Sequence, residues 1–302
     1  MSPEVPFPGG GALDAGPDDG PVAAGGVRYS VRRFRATVPP RADDEGEGEG
    51  EGADHWPVSP PVLLLHDVAG GLGDWDVLAG EIAADRAALA VSPKGLGASE
   101  DRDPYSAHVL AGELAALVLH TVDGPVDVVG HGTGATLAWN LAAQRPDLVR
   151  RVVLISGGRA LAPWTVARLV AGAALARGRA RAGSGGGGSG DGWGAGSEGG
   201  WGAGSEGGWG AGSEAVRRGR IRAAYAHLEP IGRISPQRAL VLWGTRDTAS
   251  SLAMAQRIVN SLTRTARPAT VRMTTLPGAG HDPLAEMPRR CATLVGEFLR
   301  SP

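Results

Sequence analysis

Short runs of aliphatic and β-branched residues alternate along this chain with longer windows in which apolar positions recur at helical spacing. That is the pattern of a mostly parallel sheet covered on both faces. The first run, VRYSVRRFRATV at 27–38, predicts a strand with the acidic EGEG stretch in its hairpin, and PPVLLLHD at 60–67 predicts a buried strand. A helix is expected at 75–85, a strand at 87–92, and a helix at 106–122 with Ser106 as its N-cap. PVDVVG at 125–130 is a strand that runs straight into a glycine-rich turn, and the helical window at 133–146 ends on Pro146. Further strands follow at 150–156, 238–244 and 270–278, and residues 283–300 close the chain as one final helix.

Three stretches break the alternation. Residues 1–26 are rich in Pro, Gly and Asp, residues 45–52 read EGEGEGEG, and residues 183–214 hold 17 Gly in 32 positions. Each has too little apolar surface to offset the entropy of ordering it, so each is read as disordered. Within the last, GWGAGSEG occurs at 192–199 and 200–207, with a truncated copy at 208–214. An octapeptide so poor in side chains cannot stack as a solenoid unit. It is read as a flexible tether in a tolerant loop in preference to a partner-binding array built on Trp193, Trp201 and Trp209. The resulting scheme is a disordered tail at 1–26, a core from 27–158 and 237–300, and a small cap at 159–236 whose helical windows, 161–182 and 215–229, flank the Gly-rich loop. Roughly 235 residues remain, enough for one sizeable domain.

Composition narrows the partners. Thirty Lys plus Arg against 32 Asp plus Glu leave a net charge of −2 with no basic stripe, which argues against nucleic acid. The longest apolar stretches, such as VLLL at 62–65, fall far short of the ~20 residues of a membrane helix, and the N-terminus has no basic segment followed by an apolar one. The expectation is a soluble cytoplasmic protein with a small-molecule substrate, no cofactor and no metal. A single cysteine, Cys291, excludes an internal disulfide framework, and its apolar neighbours Leu294, Val295 and Phe298 make it a packing residue.

Chemistry concentrates around VDVVGHGTGATLAWNLA, a strand, a tight Gly-x-x-x-Gly turn and a helix, which is the setting of a nucleophile elbow. Three segments fall in matching order: LLLHDVAGGLGDW after the preceding buried strand, VLWGTRD with Asp247 at a strand end, and PGAGHDP with His281 after the last strand. Together with VSPKGLGASE they resemble the α/β-hydrolase family over residues 27–300, which implies the α/β-hydrolase fold with a helical cap. The departure from that family lies at its centre. Where it has G-x-S-x-G, this chain has Gly130-His131-Gly132-Thr133-Gly134, and Gly132 has no side chain with which to form a covalent intermediate. Glycine does remove the strain of the positive φ that the elbow tip must adopt.

The resemblance assigns the remaining roles. Ser156, Gly157 and Gly158 supply no carboxylate at one of the two places where the family carries its acid, so Asp247 is the candidate, holding His281 in one tautomer. The oxyanion hole falls to the backbone amides of Val68 and Thr133. Where the family has His-Gly, this chain has His66-Asp67, so Asp67 either reaches the cavity as a second acid or base or turns to solvent. His66 and His131 are expected to be framework residues that flank the pocket. The Thr133 side chain, one position past the elbow tip, is expected to point away from His281.

A His281–Asp247 pair without a nucleophile suits proton-transfer chemistry on a small carbonyl, ester or lactone-type metabolite: a lyase, cyclase or isomerase, a type the family includes and which the resemblance places in bacterial natural-product pathways. Two other readings stand beside it, a hydrolase in which His281 activates water directly and a non-catalytic homologue that binds through the old cavity.

Overall fold

A computed structural model of the protein describes residues 18–37, 59–157, 219–225, 228, 234, 236, 238–264 and 270–301. Among them an eight-stranded sheet runs in the order β1-β2-β4-β3-β5-β6-β7-β8. Its strands are β1 (Asp18–Ala24), β2 (Val27–Phe34), β3 (Val62–Leu65), β4 (Ala88–Val91), β5 (Val126–His131), β6 (Val149–Ile155), β7 (Arg238–Gly244) and β8 (Thr270–Leu276). β1 and β2 are antiparallel to their neighbours, and every pairing from β4 to β8 is parallel. The helices are α1 (Asp76–Ile82), α2 (Ala107–Thr121), α3 (Thr133–Gln144), α4 (Leu252–Thr263), α5 (Pro283–Glu286) and α6 (Pro288–Arg300). This is the doubly covered α/β architecture that the apolar pattern predicts.

The strands are apolar throughout because both faces are covered. In β3, Leu63 and Leu65 join the cluster packed under α2, α3 and α4, while Val62 and Leu64 join the one under α1 and α6. Ser106 caps α2 as expected, its hydroxyl accepting from the amide of Val109 at 3.2 Å.

Residues 18–24 do not belong to a disordered tail. They form β1, which pairs with β2 across Gly25 and Gly26, both at positive φ (59° and 77°). Two such residues make the tight hairpin turn that suits strand twist, and Pro21 is tolerated because β1 is an edge. The hairpin of β2 is therefore formed with the preceding strand and not through the acidic stretch, and its other neighbour is β4. The predicted final helix is two helices: Met287 precedes Pro288 and adopts an extended φ of −138°, which interrupts the winding. Helix α4 was not anticipated; it presents only Ala255, Ile258 and Leu262 as buried positions. The acidic run 45–52, the helical window 161–182 and the Gly-rich loop 183–214 lie outside the described residues, and of the window 215–229 a helical stretch at 219–225 is described.

At the start of β5, away from the carboxyl edge, Asp127 is wholly buried between Arg150, which donates to it at 2.9 and 2.5 Å, and Arg86 at 3.5 Å, itself almost wholly buried. Removing the carboxylate leaves Arg86 without that buried counter-charge. Asp127→Ala should cost about 3–5 kcal/mol, read as a lowered urea midpoint with an unchanged slope; an unchanged midpoint would refute the role.

Candidate active site

Because β3 to β8 run parallel, the segments that follow β3, β5, β7 and β8 gather at one edge of the sheet and bring together Asp67, Gly132, Asp247 and His281. The elbow is formed as expected: Gly132 sits between β5 and α3 at φ 56°, ψ −118°. The start of α3 presses against the end of β3, since a Cβ on Gly134 would overlap the carbonyls of Leu65 and His66.

Asp247 and His281 meet. The imidazole Nδ1 lies 2.9 Å from Asp247 Oδ2, and the other carboxylate oxygen accepts from the amides of Ala249 and Ser250 at 2.9 and 2.8 Å. The carboxylate is fully buried and fixes the ring's tautomer with Nδ1 as donor. Nε2 is buried and has no hydrogen-bond partner among the described residues. Burial disfavours the imidazolium, but the bond to Asp247 and the charges of Asp67, Asp247 and Asp282 outweigh it, so His281 titrates above the ordinary histidine range.

Asp67 turns inward. Its side chain is buried, and Oδ1 accepts both the backbone N–H of Thr133 at 2.8 Å and the Thr133 hydroxyl at 2.9 Å. The amide of Val68 in turn donates to Thr133 Oγ1 at 2.9 Å. The two amides expected to form an oxyanion hole are thus adjacent, but one is taken by Asp67 and the other by Thr133. A Cβ placed on Gly132 would collide with Oδ1, Cγ and Cβ of Asp67, so the carboxyl group fills the space of an elbow side chain. Burial opposes ionisation of Asp67; the fields of His131 and His281 and the two Thr133 bonds prevail and hold it below the usual carboxylate range.

Two residues do more than the sequence suggested. The Thr133 hydroxyl bridges Asp67 to Val68 instead of idling on the helix. His131, expected only to flank the site, donates from Nε2 to the His281 carbonyl at 2.9 Å, and its ring centre lies 5.7 Å from that of His281. His66 is framework as anticipated, with Nδ1 bonded to the Asp67 carbonyl at 2.7 Å and Nε2 to Ser92 Oγ at 3.1 Å. Cys291 is buried in α6, its thiol 3.3 Å from the Pro283 carbonyl. A surface hollow of about 740 Å³ near the β1–β2 turn, lined by Arg28, Glu100 and His120 among others, shares no residue with this constellation. Among the described residues no helix is long and apolar enough to cross a membrane, and no group of three or more His, Cys, Asp or Glu comes together to hold a metal.

Comparison with known proteins bears on this geometry. The chain matches the description "Alpha/beta hydrolase family" over residues 62–294. Similar curated proteins include RutD of Klebsiella pneumoniae, which carries a carbamate-hydrolase name (33% identical over 114 residues, 36% of this chain and 42% of that protein). Another is the 2-(acetamidomethylene)succinate hydrolase of Mesorhizobium japonicum (31% over 97 residues, 32% and 35%). The chain thus spans less than half the length of these relatives. Among solved structures, the enol-lactonase of Burkholderia xenovorans LB400 matches with a TM-score of 0.63 at 17% identity, covering 93% of this chain and all 100% of that one. A meta-cleavage product hydrolase of Pseudomonas fluorescens IP01 matches with a TM-score of 0.62 at 15% identity, covering 92% and 96%. At such identities the likeness is one of fold.

The collision at residue 132 generates a paired test. Gly132→Ser alone should lose about 1–3 kcal/mol from the positive φ, and more from the clash with Asp67, without acquiring esterase activity. Asp67→Gly combined with Gly132→Ser should recover part of that loss, because the two residues share one volume. It should also free the Thr133 amide and hydrolyse p-nitrophenyl acetate in a His281-dependent way. Additive stabilities, or equal esterase activity in the single Ser variant, would refute the shared volume.

Proposed function

The chain belongs to the alpha/beta hydrolase family, and on that premise we propose that it is a hydrolase of small molecules in which His281, held by Asp247, activates water. No hydroxyl nucleophile at residue 132 takes part. The observation that carries this reading is His281 Nε2, a buried nitrogen left without a partner on a ring whose other nitrogen is fixed at 2.9 Å from Asp247. A buried acceptor left unpaired costs about 1–3 kcal/mol, and here the unpaired nitrogen is the one that a base at this site would use. The hydrolase names of the relatives support the reaction type.

Elimination, cyclisation or isomerisation of a carbonyl compound finds less support. The relatives named above carry hydrolase names, and the amides that would polarise a carbonyl, those of Thr133 and Val68, already have partners, which weighs on any carbonyl chemistry at this site alike.

Incubating a cell extract with wild type or His281→Ala, followed by mass spectrometry, decides between the reactions. Products that together gain the elements of water, only with wild type, are expected. Loss of water or an unchanged mass would indicate a lyase or isomerase, and no conversion at all would indicate a binding protein.

The sign of the pH dependence follows from the raised titration of His281. Only the neutral ring accepts a proton from water, so the rate should climb with pH through a limb above the ordinary value of about 6.5. Asp67→Asn removes one charge that favours the imidazolium, so the His281 titration, followed by NMR, should move to lower pH. The same shift makes protonated His281 favour the fold: that contribution is complete below the unfolded value and is lost as pH rises through the folded one. A His281 titration that ignores Asp67→Asn would overturn the coupling.

A further inference from the structure

His281 is delivered by an edge strand yet stands beside residues carried by the middle of the sheet. β8 is last in the strand order, and β6 and β7 lie between it and β5, which leads into the elbow. Three strand spacings make roughly 14 Å. The segment after β8 crosses part of that gap as a loop. Gly278 turns at φ 84°, the Ala279 carbonyl accepts from the amide of Arg246 at 2.8 Å, and the amide of Gly280 donates to Glu286 Oε2 at 2.7 Å. These bonds tie the loop to the segment after β7 and to α5. A base carried on a loop needs a rigid support to hold its position.

His131 supplies a tie to the centre. It is the last residue of β5, a strand paired on one side with β3 and on the other with β6, and it is only 3% exposed. Its Nε2 donates to the His281 carbonyl at 2.9 Å, across 150 positions of sequence. Its Nδ1 is buried with no hydrogen-bond partner among the described residues, so the hydrogen bonding of this ring is directed at His281. We propose that His131 is a positioning residue, which anchors the backbone of His281 to a central strand and thereby sets how far the imidazole reaches toward the elbow.

The functional consequence rests on His281 being the base proposed above. Asp247 holds its ring by Nδ1 at 2.9 Å, from the segment after β7. That bond fixes the tautomer but leaves the backbone of the loop to be placed by other contacts. With the carbonyl held from β5 as well, the residue is fixed at both ends. A displacement of about 1 Å at a reacting group can lower a rate on the order of 10²-fold. The two rings also pack, with centres 5.7 Å apart and planes tilted by 43°, a contact that a phenyl group would largely reproduce. The hydrogen-bond donor is therefore separable from the packing. The amide nitrogen of glutamine stands as many bonds from Cα as histidine Nε2, whereas that of asparagine matches Nδ1 and falls short.

NMR of the full chain labelled with ¹⁵N-histidine tests the anchor without any substrate, by following exchange of the His281 Nδ1 proton with solvent. His131→Phe and His131→Asn should speed that exchange about 10-fold or more while far-UV circular dichroism stays that of wild type. His281-dependent conversion in cell extract should fall about 10- to 100-fold in the same two variants. His131→Gln, which returns a donor at the right reach, should rescue both measurements. Equal protection of the proton in wild type, His131→Phe and His131→Asn overturns the anchor even where conversion falls. Failure of His131→Gln to rescue overturns it too, because the donor is then not the feature that matters. Should His131→Phe fail to fold, the Asn and Gln variants carry the comparison. Conversion that survives His281→Ala would remove the base reading, and the exchange rates would still decide on the anchor.

Discussion

Everything at this site depends on how closely the β5–α3 turn approaches the end of β3. Residue 134 has no room for a side chain against the Leu65 and His66 carbonyls, and residue 132 carries a positive φ. That approach brings the first amide of α3 within 2.8 Å of Asp67, whose own amide neighbour, Val68, closes a short chain of bonds through the Thr133 hydroxyl. Two glycines therefore do different work. One lets the backbones touch; the other leaves a vacancy that a carboxyl group from the segment after β3 fills.

The sheet and the elbow were legible in the sequence because they are written in local patterns: the continuous apolar run VLLL, a glycine-rich turn after PVDVVG, a cap at Ser106. Asp247 and His281 were legible through the family resemblance of VLWGTRD and PGAGHDP, and their meeting follows because strand ends of one parallel sheet share an edge. The direction of the Asp67 side chain was not. It is fixed by a clash that would occur with a residue 65 positions away, and nothing in HDVAGG encodes that distance. The bridging role of Thr133 was hidden for the same reason, since it is defined by partners in the segment after β3. β1 went unseen because its edge position tolerates Pro and Gly, the residues that elsewhere mark disorder; the paired glycines at 25 and 26 were the available sign of a hairpin.

Charge links these parts. His281 stands among Asp247, Asp67 and Asp282, with His131 packed beside it, and the carboxylates favour its protonated form against the cost of burial. Asp67 is reciprocally kept ionised by His131 and His281. Each charge thus favours the ionised form of the other.

Asp247 fixes what is left for the ring to do. With Nδ1 held at 2.9 Å from Asp247 Oδ2, and the other carboxylate oxygen bound by the amides of Ala249 and Ser250, the imidazole keeps the tautomer in which Nε2 is the acceptor. Asp67 acts on the same ring through its charge: as a carboxylate it favours the imidazolium, and any change that removes its charge lets the ring shed its proton more readily. The readiness of the histidine as a base therefore depends on a carboxyl group that fills the place of an elbow side chain.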